Sequence, residues 1–306
     1  EEIGMPGVHP ESYPEVYTMA DDHPWLQEQF FGFNDPKQSH QRWEFLRKQE
    51  LSGIGGYPSF TIATDNPTFH AYDVDSPEAR GKVGGCGVSL STFKDFEDLL
   101  EGVPLDKTVV EYVTADIQPV LMAMHVLLAE KQSVPKEKLR FVPHPLFFHR
   151  QPVYNDETFP PRSSLILNVE EIKYGCRNLP LCVFAQMDPY SAIEAGFTPV
   201  QATGLEVAKA ICVIEECIKA GIDPDEFISK FTYHVQCGKD FFEDIAKMRA
   251  VRRMWAKICK ERFGCKDPKS HQLRMYAQTA GHKYTAQQPL NNITRATLGT
   301  LSAVLG

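Results

Sequence analysis

The chain has no Cys-x-x-Cys pair. Its eight cysteines (Cys86, Cys176, Cys182, Cys212, Cys217, Cys237, Cys259 and Cys265) are scattered, several of them inside apolar helical or strand patterns. That spacing argues against common zinc and dithiol motifs and suits reduced core thiols, so a cytoplasmic location is expected. No run of about 18 uncharged apolar residues occurs, which argues against a membrane-spanning helix. The start, Glu1-Glu2-Ile3-Gly4-Met5-Pro6, has neither the basic region nor the apolar region of a secretory leader, and its first residue is not Met. Charge blocks are also missing: 32 basic and 40 acidic residues are interspersed, for a net −8. A nucleic-acid face or a membrane-surface face is therefore not expected, although a small anionic ligand needs only a local basic cluster.

What is present is a regular alternation of strand and helix. With 306 residues, 42% hydrophobic, the chain can bury a sizeable core. The first 56 residues read as an irregular arm rich in Pro, Gly and aromatics; from residue 57 the pattern becomes periodic. Strands are expected at 57–64, 108–115, 139–144, 181–187, 231–236 and 273–279. Helices are expected at 91–102 with Ser91 as cap, 117–131, 163–176, a long one ending at Gly221, 240–263 and 291–305. Repeated β/α units imply a parallel sheet, and right-handed crossovers curl such a series toward a (β/α)8 barrel of the TIM type. Six units are read, two short of eight. The series therefore points to truncation, to disorder beyond Gly306 or to completion by another chain.

Several motif-like stretches have plainer readings. Gly81-Lys82-Val83-Gly84-Gly85-Cys86-Gly87 resembles a phosphate loop but has no Gly-Lys-Ser/Thr, so a flexible βα loop is preferred. Asn292-Ile293-Thr294 opens a predicted helix in a chain expected not to be secreted, which discounts glycosylation. The basic run Arg249, Arg252, Arg253, Lys257 and Lys260 is flanked by acids and reads as a solvated helix face. Asp21-Asp22-His23 is not taken as a metal site.

The richest segment is Leu273-Arg274-Met275-Tyr276-Ala277-Gln278-Thr279-Ala280-Gly281. Alternation sets Leu273, Met275 and Ala277 on one face and Arg274, Tyr276 and Gln278 on the other, before an amide-rich loop. Polar groups at the carboxyl end of a strand suggest a site. With Thr285-Ala286-Gln287-Gln288-Pro289, Asn291-Asn292, Phe241–Ala250, Arg252–Ala256, Ala129–Gln132, Glu194-Ala195-Gly196 and Phe159-Pro160-Pro161, this segment resembles the large-subunit barrel of the adenosylcobalamin-dependent acyl-CoA mutases, the methylmalonyl-CoA mutase family. The resemblance covers roughly residues 4–306.

It implies radical carbon-skeleton rearrangement of an acyl-CoA, with adenosylcobalamin carrying the difficult chemistry and the barrel supplying orientation and exclusion of water. Carried over position by position, Gln278 and Glu194 fall on adenosyl contacts, and Tyr190 falls on a pocket tyrosine. Arg274, Lys230 (arginine in the family), Thr232 and Thr61 (both serines there) align with groups that bind CoA. The Asp-x-His-x-x-Gly motif that ligates cobalt is absent, since Leu26 follows Asp21-Asp22-His23 where glycine is required. A separate cobalamin-binding domain or small subunit is therefore implied as partner, within a homo- or hetero-oligomer.

The departures bear on substrate. In Glu28-Gln29-Phe30-Phe31-Gly32-Phe33, Phe30 stands for the family's radical-steering tyrosine, as in isobutyryl-CoA-type mutases. Ser191 stands for the histidine that hydrogen-bonds the thioester carbonyl. Tyr154 stands for the arginine that grips the carboxylate of methylmalonyl-CoA, and it cannot neutralise a carboxylate. His144 and Tyr276 replace pocket Gln and His, and His23 and Glu28 replace two arginines of the arm. An active mutase for another acyl-CoA, with Phe30, His144, Tyr154, Tyr190, Ser191 and Tyr276 shaping the pocket, is the preferred reading. A catalytically degenerate barrel that partners an active subunit is the alternative.

Overall fold

Helix starts are encoded by short acid-proline signals. Asp35, Asp65 and Asp188 each precede a helix with proline in its first turn, and each accepts a bond from a backbone N–H three residues on. A computed structural model describes residues 29–49, 53–54, 57–114, 117–145, 153 and 159–306. The described chain forms two compact units, one within Pro24–Arg150 and Asp156–Ala185, the other chiefly Gln186–Gly306.

The first unit begins with strand β1 (Gln29–Phe31), helix α1 (Pro36–Arg47) and a short antiparallel pair, β2 (Gly53–Ile54) and β3 (Tyr57–Pro58). It continues with β4 (Phe60–Ala63), the single turn α2 (Asn66–Phe69), α3 (Phe93–Leu99), β5 (Val110–Thr114), α4 (Gln118–Lys131), β6 (Phe141–Pro145) and α5 (Pro161–Asn178). Strands β1, β4, β5 and β6 pair in that order, all parallel. Side chains alternate across this sheet. One face buries Phe60, Ile62, Val110, Tyr112 and Phe141 with Trp43 and Phe96 in an aromatic core.

The second unit opens around β7 (Ala185–Met187) and α6 (Pro189–Glu194). It runs on through α7 (Pro199–Lys219), the short α8 (Pro224–Phe227), β8 (Phe231–Cys237), α9 (Phe241–Lys257), β9 (Arg274–Thr279) and α10 (Asn291–Leu305). Its sheet has the order β7-β8-β9, with β8 and β9 parallel. Phe231, Tyr233, Val235 and Cys237 of β8 are buried on one face, where Phe231 meets Trp255 of α9 (5.4 Å between ring centres) and the Tyr233 hydroxyl meets Thr203 Oγ1 of α7 at 3.0 Å.

All six expected strands and helices are found within a few residues, with corrections. The stretch read as irregular contains β1 and α1, a further parallel strand and helix; a three-residue strand is too short to show a period. Its helix nevertheless has the Asp35-Pro36 start and buries Trp43 and Leu46. The 91–102 helix is capped by Thr92 instead of Ser91, because Asp95 closes a capping box on Thr92. Strand 181–187 shortens to Ala185–Met187: Leu179-Pro180 makes a turn, Cys182 N donates to Leu179 O, and Leu181 is exposed. The helix expected to reach residue 263 ends as α-helix at Lys257 and continues as a π-turn to Arg262. Ala277, assigned to the apolar face of β9, is exposed.

The glycine-rich 81–87 segment is a βα loop packed onto the sheet. Gly84 N donates to Asp65 Oδ2 at 2.8 Å. A Cβ on Gly87, whose φ is +132°, would meet Thr64 backbone atoms at 2.3 Å. Its glycines thus permit close backbone approach. Among the described residues, no helix is long and apolar enough to cross a membrane.

Candidate functional site

Because β8 and β9 are in parallel register, residues facing each other across the pair stand side by side. Thr232 is opposite Arg274, His234 opposite Tyr276 and Gln236 opposite Gln278, so three rungs of polar or aromatic side chains occupy one face. The other face of β8 is the apolar core. Four residues of strand separate the first rung from the last, about 13 Å at roughly 3.3 Å per residue.

The first rung carries Arg274, which is exposed, and Thr232, whose Oγ1 is buried without a hydrogen-bond partner among the described residues. Lys230 ends the 3-10 turn Ile228–Lys230 immediately before β8. The middle rung is aromatic. His234 is stacked on Tyr276 at 4.3 Å between ring centres, with 15° between planes, and its other stacked neighbour is Tyr190 of α6 at 4.7 Å and 10°. The Tyr276 hydroxyl accepts from Gln186 Nε2, and the Gln186 Oε1 atom is buried without a hydrogen-bond partner among the described residues.

The last rung joins amides to a carboxylate. Gln236 Nε2 donates to Glu194 Oε1 at 2.6 Å, and His282 contributes its backbone N–H to Glu194 Oε2 at 3.0 Å and its Nδ1 to Oε1 at 2.9 Å. Gln278 Oε1 lies 3.0 Å from His234 Nε2. Burial, reinforced by the Glu194 charge, pushes the Tyr190 phenol up to about 12 although a Gly281 backbone bond opposes the shift. The phenol thus stays protonated at neutral pH and serves as a hydrogen-bonding group, not a base.

Behind these rungs lies a buried polar frame. Asp188, at the end of β7, caps α6: its carboxylate accepts from Ser191 N at 3.2 Å and from Ser191 Oγ at 2.5 Å, and Oδ1 lies 3.1 Å from His234 Nδ1. Its backbone N–H donates to Glu206 Oε2 of α7 at 2.6 Å, and Glu206 pairs with Lys209 Nζ at 2.6 Å. At the end of β8, Lys247 Nζ binds both Gln236 O (2.6 Å) and Asp244 Oδ1 (2.7 Å), while Asp244 Oδ2 takes Gly238 N at 2.8 Å. The Thr285–Asn292 loop is tied internally by reciprocal bonds between Asn292 and the Thr285 backbone, so these amides shape the loop.

The second unit therefore brings together Tyr190, Ser191, Glu194, Thr232, Arg274, Tyr276 and Gln278, with Lys230 at the amino end of β8. The first unit holds Phe30 and Thr61 side by side in register, Phe30 exposed and Thr61 buried. Thr61 Oγ1 donates to Glu111 Oε2 at 3.3 Å. The backbone of His144 pairs in β6 opposite Val113. Tyr154, and likewise His23, Glu28 and the Asp21-Asp22-His23 cluster, lie outside the described residues.

Sequence reasoning missed His234, Gln236, Asp188 and Glu111. His234 and Gln236 had a signal, since they alternate with Phe231, Tyr233 and Val235 as Arg274, Tyr276 and Gln278 alternate in β9. Glu111, a charge inside the apolar run Val110-Glu111-Tyr112-Val113, had one also.

Parallel strands followed by helices define an α/β protein, with aromatic, amide and carboxylate groups along one sheet face. A family model described as methylmalonyl-CoA mutase matches residues 1–306. The 2-hydroxyisobutanoyl-CoA mutase large subunit of Aquincola tertiaricarbonis is 33% identical over 306 residues, 100% of this chain and 53% of that protein. The mitochondrial methylmalonyl-CoA mutase of Homo sapiens is 31% identical over 305 residues, 99% of this chain and 40% of the relative. The methylmalonyl-CoA mutase of Escherichia coli (strain K12) is 32% identical over 303 residues, covering 99% and 41%. The chain belongs to the methylmalonyl-CoA mutase family. It spans about half the length, or less, of these relatives.

Proposed function

We propose that this chain is the acyl-CoA-binding part of an adenosylcobalamin-dependent mutase that rearranges the carbon skeleton of an acyl-CoA other than methylmalonyl-CoA. The observation that carries the reading is the order of the three rungs on β8 and β9. A cationic and hydroxyl rung suits the polar atoms of CoA, an aromatic rung suits an acyl group kept from water, and a carboxylate-amide rung suits a nucleoside. The two parallel sheets are read as parts of one (β/α)8 barrel, whose body takes in β1 and α1 as well as residues 57–306.

The donor set fits adenosylcobalamin. Glu194 offers acceptor oxygens and Gln278 and Tyr190 offer donors, while the unpartnered buried oxygens of Thr232 and Gln186 leave hydrogen bonds for a ligand to make. When bound, that cofactor supplies radical initiation by homolysis of its cobalt–carbon bond. The protein's own part is to bind and orient. Glu194, Tyr190 and Gln278 would hold the adenosyl group; Arg274, Lys230, Thr232 and Thr61 would hold CoA; and the Tyr190-His234-Tyr276 column would exclude water. The cobalt-ligating motif is lacking in this sequence, so a cobalamin-binding domain or small subunit is the proposed partner.

Substrate choice follows from the departures. Tyr154 in place of a carboxylate-gripping arginine and Phe30 in place of a tyrosine favour an uncharged acyl group, shaped by His144, Ser191 and Tyr276. Full-length protein with a cobalamin-binding partner should turn over an acyl-CoA from a broad panel, dependent on adenosylcobalamin, and should prefer acyl groups without a free carboxylate. Binding of neither CoA nor adenosylcobalamin in that assembly would instead identify a structural partner of an active subunit.

A further inference from the structure

His234 is only 6% exposed, so its ring is walled off from any ligand that would touch its neighbours. Its two nitrogens each face an oxygen: Nε2 is hydrogen-bonded to Gln278 Oε1 at 3.0 Å, while Nδ1 lies 3.1 Å from Asp188 Oδ1 without hydrogen-bond geometry. Its two faces are covered by the stacked rings of Tyr190 and Tyr276. The ring therefore cannot turn without losing two polar contacts and two stacks. Asp188 is equally constrained, through Ser191 N, Ser191 Oγ and the bond of its own backbone N–H to Glu206.

From this geometry we propose that His234 is a positioning residue: clamped between the Tyr190 and Tyr276 rings, it turns the Gln278 carbonyl inward and leaves the Gln278 amide hydrogens to meet acceptor atoms of a bound nucleoside. The inference rests on the reading that Gln278 contacts an adenosyl group. Because an amide oxygen can only accept, His234 Nε2 is the donor in the 3.0 Å contact with Gln278 Oε1. The carboxamide is then fixed in one of its two orientations, as outer groups fix a ligating or catalytic side chain elsewhere. The result is a site with opposite polarity at its two ends, donor at Gln278 and acceptor at Glu194.

Three substitutions separate positioning from packing. H234F keeps a flat ring for the stacks and removes both nitrogens. H234Q can carry an N–H toward Gln278, and H234N reaches Asp188 but is too short for Gln278. Crystal structures of the full-length variants report the Gln278 carboxamide directly, and calorimetry with 5′-deoxyadenosine reports the consequence.

In H234F the carboxamide should leave its present position and affinity should fall about 5- to 10-fold, the loss of one orienting hydrogen bond. H234Q should restore both within about 2-fold of the parent. If H234F does not fold, H234N takes its place with the same expectation. An unmoved Gln278 in the folded H234F or H234N protein overturns the proposal, as does undiminished 5′-deoxyadenosine affinity in a variant of a parent that binds it. If the parent protein binds no 5′-deoxyadenosine, the adenosyl reading fails, and the crystallographic comparison alone decides whether His234 positions Gln278.

Discussion

The two units each bury a histidine in an aromatic stack, and the two sites differ in what meets the nitrogens. His125 of α4 is stacked on Phe141 at 5.0 Å, with Nδ1 3.0 Å from the Tyr112 hydroxyl and Nε2 buried without a hydrogen-bond partner among the described residues. Burial drives this imidazole down to about 3, so it is neutral at ordinary pH. His234 is stacked just as closely, but a carboxylate and an amide oxygen stand at its edges. Aromatic stacking and burial are thus common to a core histidine and to one within a site. The polar frame behind the ring makes the difference, because buried carboxylates are costly and persist only where hydrogen bonds and counter-charges satisfy them.

Breaking that frame is the largest test of the contrast. Lys209 and Glu206 form an ion pair with side chains 3% and 1% exposed, and Glu206 also holds the Asp188 backbone. Substituting Lys209→Met strands a buried carboxylate, and urea denaturation should show a loss of about 3–5 kcal/mol. Among the described residues, no charged group is hydrogen-bonded to the His125 ring. Tyr112→Phe combined with His125→Leu removes both partners of a neutral hydrogen bond together, and should cost far less than the Lys209 variant at neutral pH.

Acid and alkali probe the first unit from opposite sides. Below pH 6.5 the unfolded chain protonates His125 while the folded chain resists until about pH 3, so stability falls as pH drops through that window. Glu171 of α5 acts in the other direction. Burial raises its carboxyl from 4.5 to about 8 against an opposing Asn168 bond, so its contribution is complete below pH 4.5 and is lost as pH rises toward 8. Each slope is up to about 1.4 kcal/mol per pH unit. Between pH 4.5 and 6.5 they oppose each other, and stability declines on either side. Denaturation across the pH range should show the Tyr112→Phe/His125→Leu pair flattening the acid arm. Glu171→Gln should flatten the alkaline arm. An unchanged profile in both would mean that neither group titrates as buried.

How far the sequence was legible follows from what each signal depends on. Period and caps are local, and they located the strands and helices from residue 57 onward as well as the alternation in β9. They failed at β1, where three residues carry no period, and at Leu181–Phe184, where an apolar run after Pro180 is irregular chain. Gln278, Glu194, Tyr190 and Arg274 were singled out by motif. His234 and Asp188 were passed over because their importance arises only when β7, β8 and α6 come together: a histidine in an apolar run reads as core, which is what His125 of α4 is.

The smallest test separates the stack from its hydroxyls. Tyr190 contributes a ring face to His234 and a hydroxyl bonded to the Gly281 backbone. Tyr190→Phe keeps the ring and removes only that bond, so urea denaturation should register a loss of about 0.5–1.5 kcal/mol. Since the parent phenol ionises only near pH 12, ultraviolet titration should find no difference between the two proteins below about pH 10 that is assignable to this residue. A loss well above that range would mean that the hydroxyl also anchors the loop beginning at Gly281 against Glu194, making the last rung a cooperative unit. A loss near zero would leave the stack and the Asp188 frame as what holds His234, the sharper form of its contrast with His125.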